Sequence, residues 1–129
     1  MEYRREDHRV HLVVYHLIWC TKRRKPVLVD AVARDCDLLI RAKCAELGWD
    51  VLALELQPDH VHLRVRVTPD DAAADVAKAV KRYTSHVLRG RYPTLLKLPS
   101  LWTRSYLAST AASISRATIR HYVEAQKGA

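Results

Sequence analysis

From His60 to Val67 the chain alternates without a break. Val61, Leu63, Val65 and Val67 fall on one side, and His60, His62, Arg64 and Arg66 on the other. A period of two is the period of a β-strand, whose successive side chains leave opposite faces. The apolar side must pack on helices, while the other side carries only bases and imidazoles. Such a strand requires a sheet with one open surface that meets something charged.

The segments around it complete a pattern. Arg9–Cys20 alternates and is rich in β-branched and aromatic residues. It places His11, Val13, Tyr15, Leu17 and Trp19 on one face and Leu12, Val14, His16 and Ile18 on the other, as a strand covered on both faces does. After the basic loop Thr21–Pro26, Asp30 is a candidate cap for a helix reaching Leu47, with Gly48 as its stop. Trp49–Gln57 and His60–Val67 are separated only by Pro58-Asp59, which predicts an antiparallel hairpin. Thr68-Pro69-Asp70 opens a second helix that runs to about Arg89, with Pro just inside its start. A short fourth strand is expected around Ser105–Ala108, and a last helix from about Ser113 to Gln126. The order β-α-β-β-α-β-α is an α+β, ferredoxin-like split βαβ unit with one helix added at the C-terminus.

With 129 residues, residues 1–129 are expected to form a single domain with a mobile, charged tail at residues 1–9. The three cysteines are odd in number and none forms a Cys-x-x-Cys pair, so they read as buried thiols in a reducing, cytoplasmic setting. No run approaches the roughly 20 apolar residues of a membrane span, and a secretory leader is not apparent. Lysine and arginine total 22 against 14 acids, a net charge of +8. This excess favours a polyanionic partner, and its richness in arginine suits phosphate.

Neutral imidazole is among the commonest metal ligands, and His60 and His62 share one strand face. The alternative is that they satisfy each other or their neighbours on an exposed sheet. On the last helix, Tyr122 and Gln126 are one turn apart on one face. An amide carbonyl suits Mg²⁺ or Mn²⁺, and a phenol beside a metal-polarised phosphate can act as a nucleophile. By themselves they also fit an ordinary amphipathic helix. Asp59 fits either a turn residue after Pro58 or a carboxylate that orients His60.

Four stretches carry a resemblance: Tyr15–Arg24 (YHLIWCTKRR), Gln57–Leu63 (QPDHVHL), Leu101–Tyr106 (LWTRSY) and Ile119–Gln126 (IRHYVEAQ). In this order the chain resembles the small single-tyrosine HUH transposases of insertion sequences that move as single-stranded DNA, and their relatives associated with repetitive extragenic palindromes. The resemblance spans about Val10 to Gln126. It implies that His60, His62 and Gln126 bind one divalent ion, Mg²⁺ or Mn²⁺. It also implies that Tyr122 attacks a scissile phosphate to give a 5′-phosphotyrosine and a free 3′-OH. Imperfect DNA hairpins as partners, and a homodimer in which the last helix of one subunit can complete the site of the other, follow from it too.

Lys22, Arg23, Arg24, Arg64, Lys81, Arg82 and Arg104 are the candidate DNA-binding residues. Trp19, Trp49 and Trp102 are candidates for stacking on bases, although core packing accounts for at least two of them. His16 has no assigned role. Relatives often carry glycine before the last helix, where this chain has Ser109–Ser113. Without that glycine the hinge is less free. Two other readings stand beside the transposase: a domesticated HUH nickase, and a non-catalytic ferredoxin-like nucleic-acid-binding module. The second does not require His60, His62, Tyr122 and Gln126 to meet.

Overall fold

The computed structural model describes residues 12–129. The start of the predicted first strand and the predicted N-terminal tail lie outside the described residues. The strands are β1 (Val13–Cys20), β2 (Asp50–Gln57), β3 (His60–Val67) and β4 (Leu107–Ser109), and the helices are α1 (Asp30–Glu46), α2 (Ala73–Arg91) and α3 (Arg116–Ala125). They form one antiparallel sheet in the order β2-β3-β1-β4, the ferredoxin-like arrangement expected from the element order.

The alternation in β3 decides the layering. Val61, Leu63, Val65 and Val67 are fully buried, together with Leu17 and Trp19 of β1, Cys36, Ile40 and Cys44 of α1, and Val76, Val80 and Leu88 of α2. The opposite face of β3 is half-buried. There a second, smaller cluster forms around Ile18, Cys20 and Val123, so α3 packs on the histidine-bearing face.

Several local predictions shift for identifiable reasons. Asp30 makes no capping bond; it is the first residue of α1, at φ 51°, after an extended Val29. Gly48 does end α1, at φ 77°, a conformation glycine adopts freely. Helix α2 starts at Ala73 rather than at Thr68-Pro69-Asp70, because Asp71 accepts hydrogen bonds from the Thr68 backbone N–H and hydroxyl and closes a turn there. Helix α3 starts at Arg116, with Ser115 as N-cap accepting from the Thr118 N–H. Among the described residues no helix is long and apolar enough to cross a membrane.

The β4 shift matters most for function. Trp102 bridges Thr21, and the next pairing of this segment with β1 is Leu107 opposite Ile18. The Thr103 N–H still bonds to the Cys20 carbonyl at 3.0 Å, but residues 104–106 carry more chain than the facing stretch of β1 and bow away from it. The Lys81 ammonium fills the bow, donating to the carbonyls of Thr103 at 2.8 Å, Arg104 at 3.3 Å and Ser105 at 3.2 Å. Ser105 and Tyr106, expected in the strand, thus lie ahead of it.

Candidate active site

His60 stands opposite Cys20 and His62 opposite Ile18, so both imidazoles share the face of β1 on which Val123 of α3 rests. The His60 Nδ1–H donates to Asp59 Oδ1 at 2.8 Å, and Arg24 holds Asp59 Oδ2 at 3.0 Å. Burial alone would raise the Asp59 pKa. The hydrogen bonds from His60 and Arg24 outweigh it and hold the carboxyl below its ordinary range. With Nδ1 as the donor, Nε2 is the lone-pair nitrogen, and carboxylate support of this kind is what a metal-binding imidazole ordinarily has. Of the two roles open to Asp59 in the sequence, the structure adds the orienting contact to the turn.

His62 meets an unassigned residue. Its Nε2 lies 3.2 Å from Nδ1 of His16, which is almost fully buried and whose other ring nitrogen has no hydrogen-bond partner among the described residues. Burial first, then the nearby His16 and His60, push the His62 pKa down, with Glu55 acting in the opposite sense. A neutral imidazole is the form that can bind a metal. Among the described residues no group of three His, Cys, Asp or Glu side chains is gathered to hold an ion. An ion at the two histidines would need a donor of another kind, and an amide oxygen such as that of Gln126 has the right chemistry.

Tyr122 and Gln126 do share a face of α3, but both turn to Ser105. The Ser105 hydroxyl donates to Gln126 Oε1 at 2.7 Å and lies 2.8 Å from the Tyr122 oxygen. A serine has one proton, so the phenol is the donor in the second bond. Among the described residues no hydrogen bond joins either group to His60 or His62. Burial pushes the Tyr122 pKa above its ordinary value of 10, so the phenol is neutral near pH 7. The sequence offered no sign of Ser105 beyond its place in the Leu101–Tyr106 stretch.

The candidate DNA-binding cations fall in three places. Lys22, Lys81, Arg82 and Arg104 line one groove of about 590 Å³ beside Trp102. Lys81 is half-buried, and its three donors serve carbonyls rather than reaching into solvent. Arg23 and Arg24 lie outside that groove in a 3-10 turn, both with left-handed backbones at φ 56° and 52°. Arg24 joins Asp59 to Glu124 of α3 at 3.6 Å. Arg64 stands opposite His16 with its Nε buried and, among the described residues, unpartnered. All three tryptophans are buried, and Trp102 donates to Thr84, so none presents a face for stacking.

A second cavity of about 660 Å³ opens beside His60 and His62. Arg116, Ile119 and Arg120 of α3 form one wall, and Glu55 and Gln57 of β2 belong to the other. The two arginines were absent from the sequence candidates, although their i, i+4 spacing ahead of Tyr122 already placed them on one helix face.

With the sheet order and the histidine face in place, the family can be decided. A family profile described as "Transposase IS200 like" matches residues 9–126. The chain belongs to the IS200-like transposase family. This transposase is 38% identical over 120 residues to the ISDra2 transposase TnpA of Deinococcus radiodurans, a match covering 91% of this chain and 86% of that one. A crystal structure of a transposase from Deinococcus radiodurans R1 superposes with a TM-score of 0.88 at 36% identity, covering 98% of this chain and 99% of the other. A REP-associated tyrosine transposase bound to a REP hairpin shares the fold, with a TM-score of 0.61 at 17% identity over 96% of this chain and 68% of that one.

Proposed function

We propose that this transposase cleaves and rejoins single-stranded DNA at the ends of an insertion sequence, with Tyr122 as the nucleophile. The observation that carries the reading is the placement of α3: it lays Tyr122 and Gln126 on the same open sheet face as His60 and His62. A nucleic-acid-binding module without chemistry has no need of that shared face.

His60, held by Asp59, His62, kept neutral by burial, and the Gln126 carbonyl are the three groups proposed to hold one Mg²⁺ or Mn²⁺. When bound, that ion would draw charge from a phosphoryl oxygen and so favour attack at phosphorus. The Tyr122 oxygen then bonds to phosphorus while the bond from phosphorus to the 3′-oxygen breaks. Its proton is lost, and the departing 3′-oxygen takes one up. The products are a 5′-phosphotyrosine and a 3′-hydroxyl, and attack of a 3′-hydroxyl on the phosphotyrosine reverses the step without an outside energy source.

The Ser105-bound position of Tyr122 and Gln126 supports reading this arrangement as a resting one. Both groups must leave Ser105, either toward the histidines of their own chain or toward those of a second subunit in a homodimer. The basic groove beside Trp102 is the proposed seat of a DNA hairpin, by analogy with the hairpin bound by the REP-associated relative. The setting proposed for this activity is the cytoplasm.

The test uses end-labelled single-stranded DNA taken from the flanks of the gene, with Mn²⁺ or with EDTA. Cleavage that requires the single strand and the ion supports the proposal. Cleavage that proceeds equally in EDTA removes the metal from it.

A further inference from the structure

The cavity beside His60 and His62 has a feature that the proposed chemistry leaves unused. Arg116 and Arg120 stand one turn apart on the same face of α3, at the cavity wall, and both are exposed. Among the described residues neither forms an ion pair or a side-chain hydrogen bond. Arg24, Arg41, Arg66 and Arg91, in contrast, each meet an aspartate.

The placement disfavours α3 on its own. Arg116 occupies the first turn, where the helix dipole disfavours a cation, and no acidic residue in that turn offsets it. A second like charge at i, i+4 adds repulsion. An anion in the cavity would remove both penalties, and paired guanidinium forks match the oxygens of a phosphodiester. Glu55, hydrogen-bonded to Gln57 on the β2 side, repels an anion from that side, so a bound phosphate is directed to the α3 wall.

We propose that Arg116 and Arg120 bind backbone phosphates of the single strand that lies across His60 and His62, and so set the register of the scissile phosphate. That last clause rests on the cleavage reading above; the phosphate contact itself does not. Because both arginines ride on α3 with Tyr122, the strand and the nucleophile are positioned by the same helix.

The test is salt-dependent binding of a fluorescein-labelled, random-sequence single-stranded oligonucleotide to the full chain in EDTA. Each phosphate contact in a single strand contributes about 0.7 to the slope of log K against log salt. The double variant Arg116→Gln/Arg120→Gln should lose about 1.4 from that slope, and each single variant about 0.7. Arg34→Gln/Arg41→Gln removes the same charge from α1, on the opposite face of the sheet, and should leave the slope unchanged. An equal loss in both double variants would show a general charge effect and overturn the inference, as would no loss in the α3 variants. Adduct formation on flanking DNA, run in parallel, separates the two readings. A reduced slope with no wild-type adduct sustains the phosphate contact and removes the cleavage role. An adduct with an unchanged slope does the reverse.

Discussion

The Ser105 hydroxyl lies 2.8 Å from the Tyr122 phenol, and through it the proposed nucleophile is tied to Gln126. Ser105 can reach them because residues 104–106 bow off β1 under the grip of Lys81. One hydrogen bond of about 1 kcal/mol must break before the Gln126 oxygen is free to turn. Ser105→Ala removes that cost and should tighten Mn²⁺ binding about 5-fold by calorimetry. Weaker binding would mean that Ser105 braces Gln126 toward the ion instead.

Asp59 should matter to the same measurement from the other side. It fixes His60 with Nδ1 as donor, leaving Nε2 for a ligand. Asp59→Asn is expected to lower Mn²⁺ affinity roughly 10- to 100-fold, the range for losing such a support. An unchanged affinity would show that His60 is not a ligand.

Lys81 serves first as a stability residue. Its ammonium is half-buried against three carbonyls, and burial pushes its pKa down. Lys81→Met should cost about 2 kcal/mol in chemical denaturation, the scale of a charged hydrogen-bonding group lost from such a site. A cost below about 0.5 kcal/mol, the level of an ordinary surface substitution, would contradict the assignment.

Acid should reveal a different contact. The Tyr92 hydroxyl donates to Asp35, and that bond, more than the neighbouring Arg91, holds the Asp35 pKa below its ordinary value of 3.8. A carboxyl with a lowered folded pKa adds stability above its unfolded pKa, and that stability fades as pH falls through the folded value. Tyr92→Phe should therefore melt below wild type at pH 7, with the gap closing at pH values under the depressed pKa. A gap that persists unchanged in strong acid would contradict this.

Much of this architecture was legible because its signals are local. The alternation in β3 gave the strand, its two faces and the open side of the sheet, and Pro58-Asp59 gave the hairpin. The histidine pair and the Tyr122–Gln126 spacing were equally plain. The contacts that arrange them were not, because they join residues far apart in the chain. His16 meets His62 across two strands, Arg24 links Asp59 to Glu124, and Ser105 reaches α3 only through a bow whose support comes from α2. Nothing in the spacing of Arg104–Tyr106 announces that bow. The start of α2 was misread for a related reason: Thr68 and Asp71 form a turn that competes with the helix signal from Pro69.

The central claim is that Tyr122 becomes covalently joined to DNA. The direct measurement is mass mapping of the peptide that contains residue 122, after incubation of the full chain with single-stranded flanking DNA and Mn²⁺. The account predicts a nucleotide remnant on Tyr122 in wild type and none in Tyr122→Phe, which should retain the fold because, among the described residues, the phenol hydroxyl hydrogen-bonds to Ser105 alone. Cleavage by Tyr122→Phe at the wild-type rate, or a remnant on any other residue, would contradict it.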